Sequence, residues 1–377
     1  MALRILHVFR SPLGGLFRHV VDLVEAQHKA GHQVGIVCDP STATDAGREK
    51  LQMLSPSLAL GMTEMRMRRE IGPADLTAAI RLSGRIRGLK PDVLHGHGAK
   101  GGAYARVAGT LLRARRAQVA RIYTPHGGSL HYDRSTFGGR LYLDAERMLG
   151  RMTDGFIFVS AFEQAAFVAK VGETKRPMTV AHNGLKSEEF TTIVPPPEAR
   201  DFLFVGELRD LKGVDLLIGA IALMRHRSGR TPTAAIVGSG PDEQKYRTVV
   251  NELGLTDAIS FHGPLPMREA LLLGRTMVVP SRAESMPYVV LETIAAGVPI
   301  IATNVGGIPE IFGIDAAEQL ITPGDATALA DAMATALASP GAAHASVTAL
   351  KIRLRSAFTV EAMAAAVEGA YRSVTVR

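Results

Sequence analysis

Short apolar runs alternate with longer amphipathic stretches along most of the chain. Leu3–Val8, Gln33–Cys38, Asp92–His95, Gln118–Tyr123 and Gly155–Val159 read as strands, and so do Asp201–Val205, Thr233–Val237, Ile259–His262, Met277–Val279 and Val298–Ala302. Runs this short and this apolar suit strands buried on both faces of a sheet. The intervening spacing predicts helices, the first around Arg18–Ala30 and an Ala-rich one over Phe358–Tyr371. Strands alternating with helices predict parallel, doubly wound α/β sheets. Pro195, Pro196 and Pro197 can continue neither a helix nor a central strand, so they read as a stiff linker. The expected division is a Rossmann-like domain over 1–190, a second over 199–356 and a terminal segment over 357–377. Parallel sheets of this kind bind ligands beyond the C-terminal ends of their strands, so two facing domains would form a cleft.

A length of 377 residues suits two domains, and 46% apolar with 21% charged residues is a globular balance. Cys38 is the one cysteine, which excludes a disulfide framework and a cysteine metal site and fits a reducing compartment. Arg4, His7 and Arg10 interrupt the first apolar run, unlike a signal peptide, and no uncharged apolar stretch reaches about 20 residues. The expected location is cytoplasmic. Charge is uneven: residues 1–195 hold 27 Lys and Arg against 17 Asp and Glu, whereas residues 196–377 hold 16 against 19. A basic first half points to a phosphorylated substrate or an anionic membrane, with plain solubility as the simpler reading. No aromatic interleaving supports nucleic acid. Arg66, Met67, Arg68 and Arg69, with Met62 and Met65 alternating among charges, form either an acceptor- or membrane-docking element or a solvated basic face.

The chemistry concentrates between Pro280 and Glu292. An apolar strand ends at Val279, a loop carries Glu284, and a helix carries Glu292. The N–H groups and dipole of a helix N-terminus favour a phosphate, with a carboxylate on each side to accept hydrogen bonds from sugar hydroxyls. Tyr288 and Val289 could offer backbone N–H groups there, whereas Pro287 cannot. Gly14 and Gly15 follow the first strand, where adjacent glycines let a backbone approach a phosphate or simply make a tight turn. His95 and His97 could ligate a metal, but no carboxylate or thiol partner is spaced nearby, so hydrogen bonding is the preferred reading. His126, between Pro125 and Gly127, ends a strand where an imidazole can donate to a sugar hydroxyl or steady departing charge.

Several of these segments, in this order, resemble the retaining GT-B glycosyltransferases, whose E-x7-E motif matches Glu284 and Glu292. His95–Gly102 is similar to an H-x-H-x-x-x-x-G segment and Thr124–Gly127 to T-x-H-G. Val237–Pro241 is similar to G-x-G-P, and Asn304–Glu310 extends the likeness. The resemblance implies two Rossmann-like domains facing a cleft, with the terminal helix crossing back to the first domain. It implies transfer of a hexose from a UDP- or GDP-linked donor to a glycan or lipid-linked acceptor, in bacterial surface polysaccharide synthesis. Lys212 falls on the lysine of the family's V-G-R-L-x-x-x-K-G segment, but Glu207 stands where its arginine is expected, leaving Arg209 to supply that charge. By resemblance, Lys212 and Arg209 clamp the leaving diphosphate, His126 and Glu284 position the sugar, and Glu292 holds the ribose. Gly238, Gly240 and the backbone near His262 lie by the nucleotide. No Asp-x-Asp occurs, so no metal and no cofactor are expected. The alternatives are a nucleotide-sugar epimerase on the same fold and a non-catalytic nucleotide-sugar-binding protein.

Overall fold

The computed structural model describes residues 2–68, 72 and 74–375, which leaves Arg69 of the basic run outside the described residues. The chain forms two compact units, Met1–Gly184 with Val360–Arg377, and Leu185–Thr359. The first is built on β1 (Arg4–Val8), β2 (Gln33–Cys38), β3 (Met62–Glu64), β4 (Val93–His97), β5 (Ala120–Thr124), β6 (Gly155–Phe158) and β7 (Met178–Val180). They lie in the order β3-β2-β1-β4-β5-β6-β7, and every pairing is parallel. Successive strand residues face opposite sides. Along β1, Leu6 and Val8 pack with Leu94 and Ala105, whereas Ile5 packs with Leu23 and Val367.

The second unit is built on β8 (Arg200–Val205), β9 (Ala234–Val237), β10 (Ile259–His262), β11 (Gly274–Val279) and β12 (Ile300–Ala302), in the order β10-β9-β8-β11-β12, again all parallel. In both units strand order reverses direction beside the first strand, between β1 and β4 and between β8 and β11. Such reversals open a crevice at the strands' C-terminal ends.

The helix Val360–Thr375 closes the first unit. Val360, Met363, Val367, Ala370 and Tyr371 recur at helical spacing and are buried against Ile5, Val93, Ile122 and Ile157. Leu185, where the chain enters the second unit, pairs with Thr359, where it leaves.

The proline run lies within the second unit. The segment before it is fastened there: the Ile193 N–H donates to the Ala296 carbonyl at 2.9 Å, and the Lys351 ammonium donates to Thr192 Oγ1 at 2.8 Å. The alternating methionines also read differently in the fold. β3 is an edge strand of three residues, and beyond it Met65 and Met67 are buried with Leu60 and Leu82. These two fill core and so do not face a membrane, whereas Met62 is 41% exposed. No helix among the described residues is long and apolar enough to cross one.

Candidate active site

In the second unit the candidate side chains come from loops that leave the C-terminal ends of β8 and β11, on either side of the strand reversal. Lys212 follows β8 and Glu284 follows β11. The Lys212 ammonium donates to Glu284 Oε1 at 2.6 Å, and Ser281 Oγ donates to the same oxygen at 2.8 Å. Only 9% of the Glu284 side chain is exposed, against 27% for Lys212. The carboxylate is thus largely out of water, while the ammonium keeps part of its solvation. The β11 loop is itself tied down. The Arg282 guanidinium makes a bidentate bond to Asp215 at 2.9 and 2.6 Å and donates to the Asp210 carbonyl at 2.6 Å. Gly306 permits the loop's path: with φ at +60°, a Cβ there would stand 1.9 Å from the Glu284 carbonyl oxygen.

Pro287 caps the helix Tyr288–Ala295, with Glu292 on its second turn and partly buried. Val289 sits in the first turn, where backbone N–H groups point along the axis. Gly238 and Gly240 sit in the loop after β9. Their shared reason is close loop packing, since a Cβ at Gly238 would meet the Gly206 carbonyl oxygen at 1.9 Å and one at Gly240 the Leu208 carbonyl oxygen at 2.3 Å. His262 ends β10, with its Nε2 3.0 Å from Ser260 Oγ. Arg209 stands apart from this network. Its guanidinium pairs with Glu207 at 3.4 Å with both side chains well exposed, so Glu207 is its partner as well as the departure from the family pattern.

In the first unit the strand reversal carries a cluster of five histidines, four of them buried and the fifth, His126, partly exposed. β1 contributes His7 and β4 contributes His95 and His97, with His7 in register with His95. The helix Gly14–Lys29 adds His19, and the loop after β5 adds His126. His7 Nδ1 lies 2.9 Å from His97 Nε2, and His97 Nδ1 lies 3.0 Å from His126 Nε2. His7 Nε2 lies 2.8 Å from Gln27 Oε1, and His19 Nδ1 lies 2.9 Å from Asn183 Oδ1. His95 is held by the Tyr371 hydroxyl at 2.7 Å and Thr124 Oγ1 at 2.8 Å. Burial pushes His7 and His19 down to about 4. Burial, and then repulsion from neighbouring imidazoles, holds His95, His97 and His126 well below the usual histidine range. The cluster is therefore neutral near pH 7.

His126 has a left-handed backbone, φ 51°, followed by φ 78° at Gly127. Glu163 fixes this turn by accepting from the Gly127 N–H and, at 3.0 Å, from the Val159 N–H. Burial raises the Glu163 carboxyl to about 7 against the pull of those N–H groups. Ser160 caps the helix that carries it, accepting from the Glu163 N–H at 3.0 Å. Gly14 opens the helix Gly14–Lys29 with φ +69° and Gly15 follows, both exposed. Lys100 is committed to a carboxylate: its ammonium bonds both oxygens of Asp75, at 2.8 and 2.7 Å. A cavity of about 440 Å³ beyond β2 and β3 is lined by Arg66, Arg81 and Arg85 together with Asp39 and Glu64.

Sequence reasoning placed Glu284 and Glu292 on one loop–helix segment, Lys212 on a separate loop after the first strand of the second domain, and His126 at a strand end. It did not find His7, His19, Gln27 or Tyr371 as one group, nor Arg282 as the brace of the Glu284 loop.

Comparison with known proteins agrees with this fold. Residues 13–189 match the family model described as Glycosyltransferase Family 4, and residues 186–351 match that of the Glycosyl transferases group 1. Glycogen synthase of Mycobacterium tuberculosis is 28% identical over 382 residues, covering 95% of this chain and 91% of the relative. The crystal structure of Anabaena HepE in complex with UDP and glucose superposes with a TM-score of 0.80 at 18% identity, covering 98% of this chain and all of that one. Sucrose-phosphate synthase from Thermosynechococcus elongatus superposes with a TM-score of 0.77 at 22% identity, covering 99% of each chain. Two overlapping glycosyltransferase family matches that together span residues 13–351, on two parallel-sheet Rossmann-like units, show that the chain is a glycosyltransferase enzyme of GT-B fold.

Proposed function

We propose that the protein is a retaining hexosyltransferase that takes its sugar from a nucleoside-diphosphate donor and delivers it to a hydroxyl of a glycan or lipid-linked acceptor. The carrying observation is the Lys212–Glu284 pair at 2.6 Å beside the strand reversal of the second unit. A cation there meets the charge that develops on a departing diphosphate. Arg209 adds a second cation once it leaves its weak, exposed pair with Glu207. Glu284 accepts from sugar hydroxyls, Glu292 from the ribose, and the Val289 N–H meets a phosphate oxygen at the helix N-terminus. Gly14, Gly15, Gly238, Gly240, His262 and Tyr288 complete the donor-side residues in this reading, and His126 contacts the sugar.

The bond between the anomeric carbon and the diphosphate oxygen breaks as the acceptor oxygen bonds to the same face. The acceptor's proton passes to the leaving phosphate. No enzymic nucleophile and no metal enter this scheme, because the positive charge comes from Lys212 and Arg209. HepE, crystallised with UDP and glucose, makes UDP-glucose the first donor to try. Arg66, Arg81 and Arg85 line a cavity suited to an anionic acceptor, either a surface-polysaccharide precursor or one presented at an anionic membrane.

A calorimetric screen tests the donor site. Purified protein is titrated with UDP, GDP, ADP and their hexose conjugates in EDTA, and again as Glu292→Ala. The reading requires one diphosphate to bind and the substitution to abolish it. Binding unaffected by Glu292→Ala removes that residue from the site, and dependence on a divalent cation removes the metal-free scheme.

A further inference from the structure

We propose that Gln27 is a positioning residue for His126. Through His7 and His97 it fixes the His126 proton on Nε2 and leaves Nδ1 as a bare acceptor. The inference rests on the reading of His126 as a sugar contact.

A neutral imidazole carries one N–H and one lone pair, so each histidine in a hydrogen-bonded chain must donate on one side and accept on the other. The chain starts at Gln27, whose side chain is buried. Its Oε1 faces His7 Nε2 at 2.8 Å, and its amide nitrogen faces the Tyr371 hydroxyl at 3.4 Å. A carbonyl oxygen only accepts, so His7 carries its proton on Nε2. His7 Nδ1 is then an acceptor and takes the proton of His97 Nε2, 2.9 Å away. His97 Nδ1 is left to accept from His126 Nε2 at 3.0 Å. With that proton committed, His126 Nδ1 keeps only a lone pair.

The other branch has the same polarity. Tyr371 receives from the Gln27 amide and gives its proton to His95 Nδ1 at 2.7 Å, and His95 Nε2–H donates to Thr124 Oγ1 at 2.8 Å. One amide thus sets the direction of both branches. Turned over, it would reverse every bond and put the His126 proton on Nδ1. The consequence concerns specificity. In the assigned state His126 accepts from a sugar hydroxyl and cannot donate to leaving charge, a narrower role than a histidine at a strand end allows.

The same histidines form two trios whose ring nitrogens lie within 4.8 Å of one another. Two imidazoles on a tetrahedral zinc ion have nitrogens about 3.4 Å apart. The 2.9 and 3.0 Å separations here are those of shared protons.

The test is long-range proton–nitrogen NMR on nitrogen-labelled full-length protein near pH 7, for wild type, Gln27→Glu and Gln27→Met. The wild type should show His126 protonated on Nε2. Gln27→Glu, which can only accept when ionised, should keep that tautomer at pH values where the carboxylate is charged. Gln27→Met should release it to a mixture and lower kcat at least about tenfold, with donor KM moving less. Should the methionine variant fail to fold, the wild-type and glutamate spectra carry the decision. A wild-type His126 protonated on Nδ1, a Gln27→Met spectrum unchanged at His126, or one equivalent of bound zinc in the purified protein each overturns the relay. None of these outcomes touches the donor calorimetry. Full transfer by His126→Ala would remove both the sugar contact and the reason for the relay.

Discussion

Lys212 and Glu284 meet at 2.6 Å although 72 residues separate them in the chain, because β8 and β11 are neighbours across the reversal of strand order. Each comes from the first loop past its strand, and Ser281 and Arg282 hold the Glu284 side in place. Lys212→Ala should lower kcat by about 10²–10³, the usual cost of one charge-stabilising donor. It should also lower stability by only about 1–2 kcal/mol, since Lys212 is partly solvated and Ser281 remains bonded to the carboxylate. Steady-state kinetics and urea denaturation separate the two effects. A stability loss without a rate loss would make the pair architectural.

Gly306→Ala probes the same carboxylate from behind. The new Cβ falls 1.9 Å from the Glu284 carbonyl oxygen on a backbone with φ +60°. The loop must move, so donor affinity measured by calorimetry should drop at least about tenfold, a loss of about 1.4 kcal/mol. Unchanged affinity would show that the donor does not depend on the Glu284 loop.

How much of this was legible in the sequence depends on the range of the forces involved. The βαβ pattern, the loop position of Glu284 and the helical position of Glu292 follow from local apolar periodicity, and local rules carry that information. β3 and β7 span three residues each, too few for a periodic signal. Met65 and Met67 look like surface residues among arginines, and only the fold shows them buried against Leu60 and Leu82. The histidine cluster was least legible. His95 and His97 were visible as a pair, but their partners Gln27, His7 and Tyr371 come from opposite ends of the chain. The Gln27–Tyr371 contact spans 344 residues.

Acid should loosen the first unit. Unfolded histidine titrates near 6.5, whereas His7 and His19 titrate at about 4 in the fold. Between those values the unfolded chain binds protons that the native cluster refuses, so stability falls as pH drops below about 6.5, by about 3 kcal/mol for each of these two groups on reaching pH 4. Glu163 acts in the opposite sense. Its carboxyl is raised from 4.5 to about 7, so the native state keeps a proton that the unfolded chain releases, and falling pH strengthens the fold through that window. Five imidazoles outweigh one carboxyl. The urea midpoint should decline from pH 7 to pH 5, and more steeply in Glu163→Gln. A flat profile would contradict burial of the cluster.

Tyr371→Phe tests the docking of the terminal helix. The ring still fills its place beside Ile5 and Val367, but His95 Nδ1 loses its partner at 2.7 Å and Gln27 its partner at 3.4 Å. A buried group left unsatisfied costs about 1–3 kcal/mol. The unfolding free energy should fall by that amount, read as a lower urea midpoint at an unchanged slope, whereas a changed slope would mean that the helix has come away.

The most direct measurement needs no acceptor. Wild type and Lys212→Ala are incubated with UDP-glucose, and the sugar slowly released to water is followed by proton NMR before its anomers equilibrate. A retaining enzyme that uses Lys212 to stabilise the leaving diphosphate predicts α-glucose as the first-formed product from the wild type and little or none from the variant. First-formed β-glucose would contradict retention, and equal release by both proteins would contradict the role of Lys212.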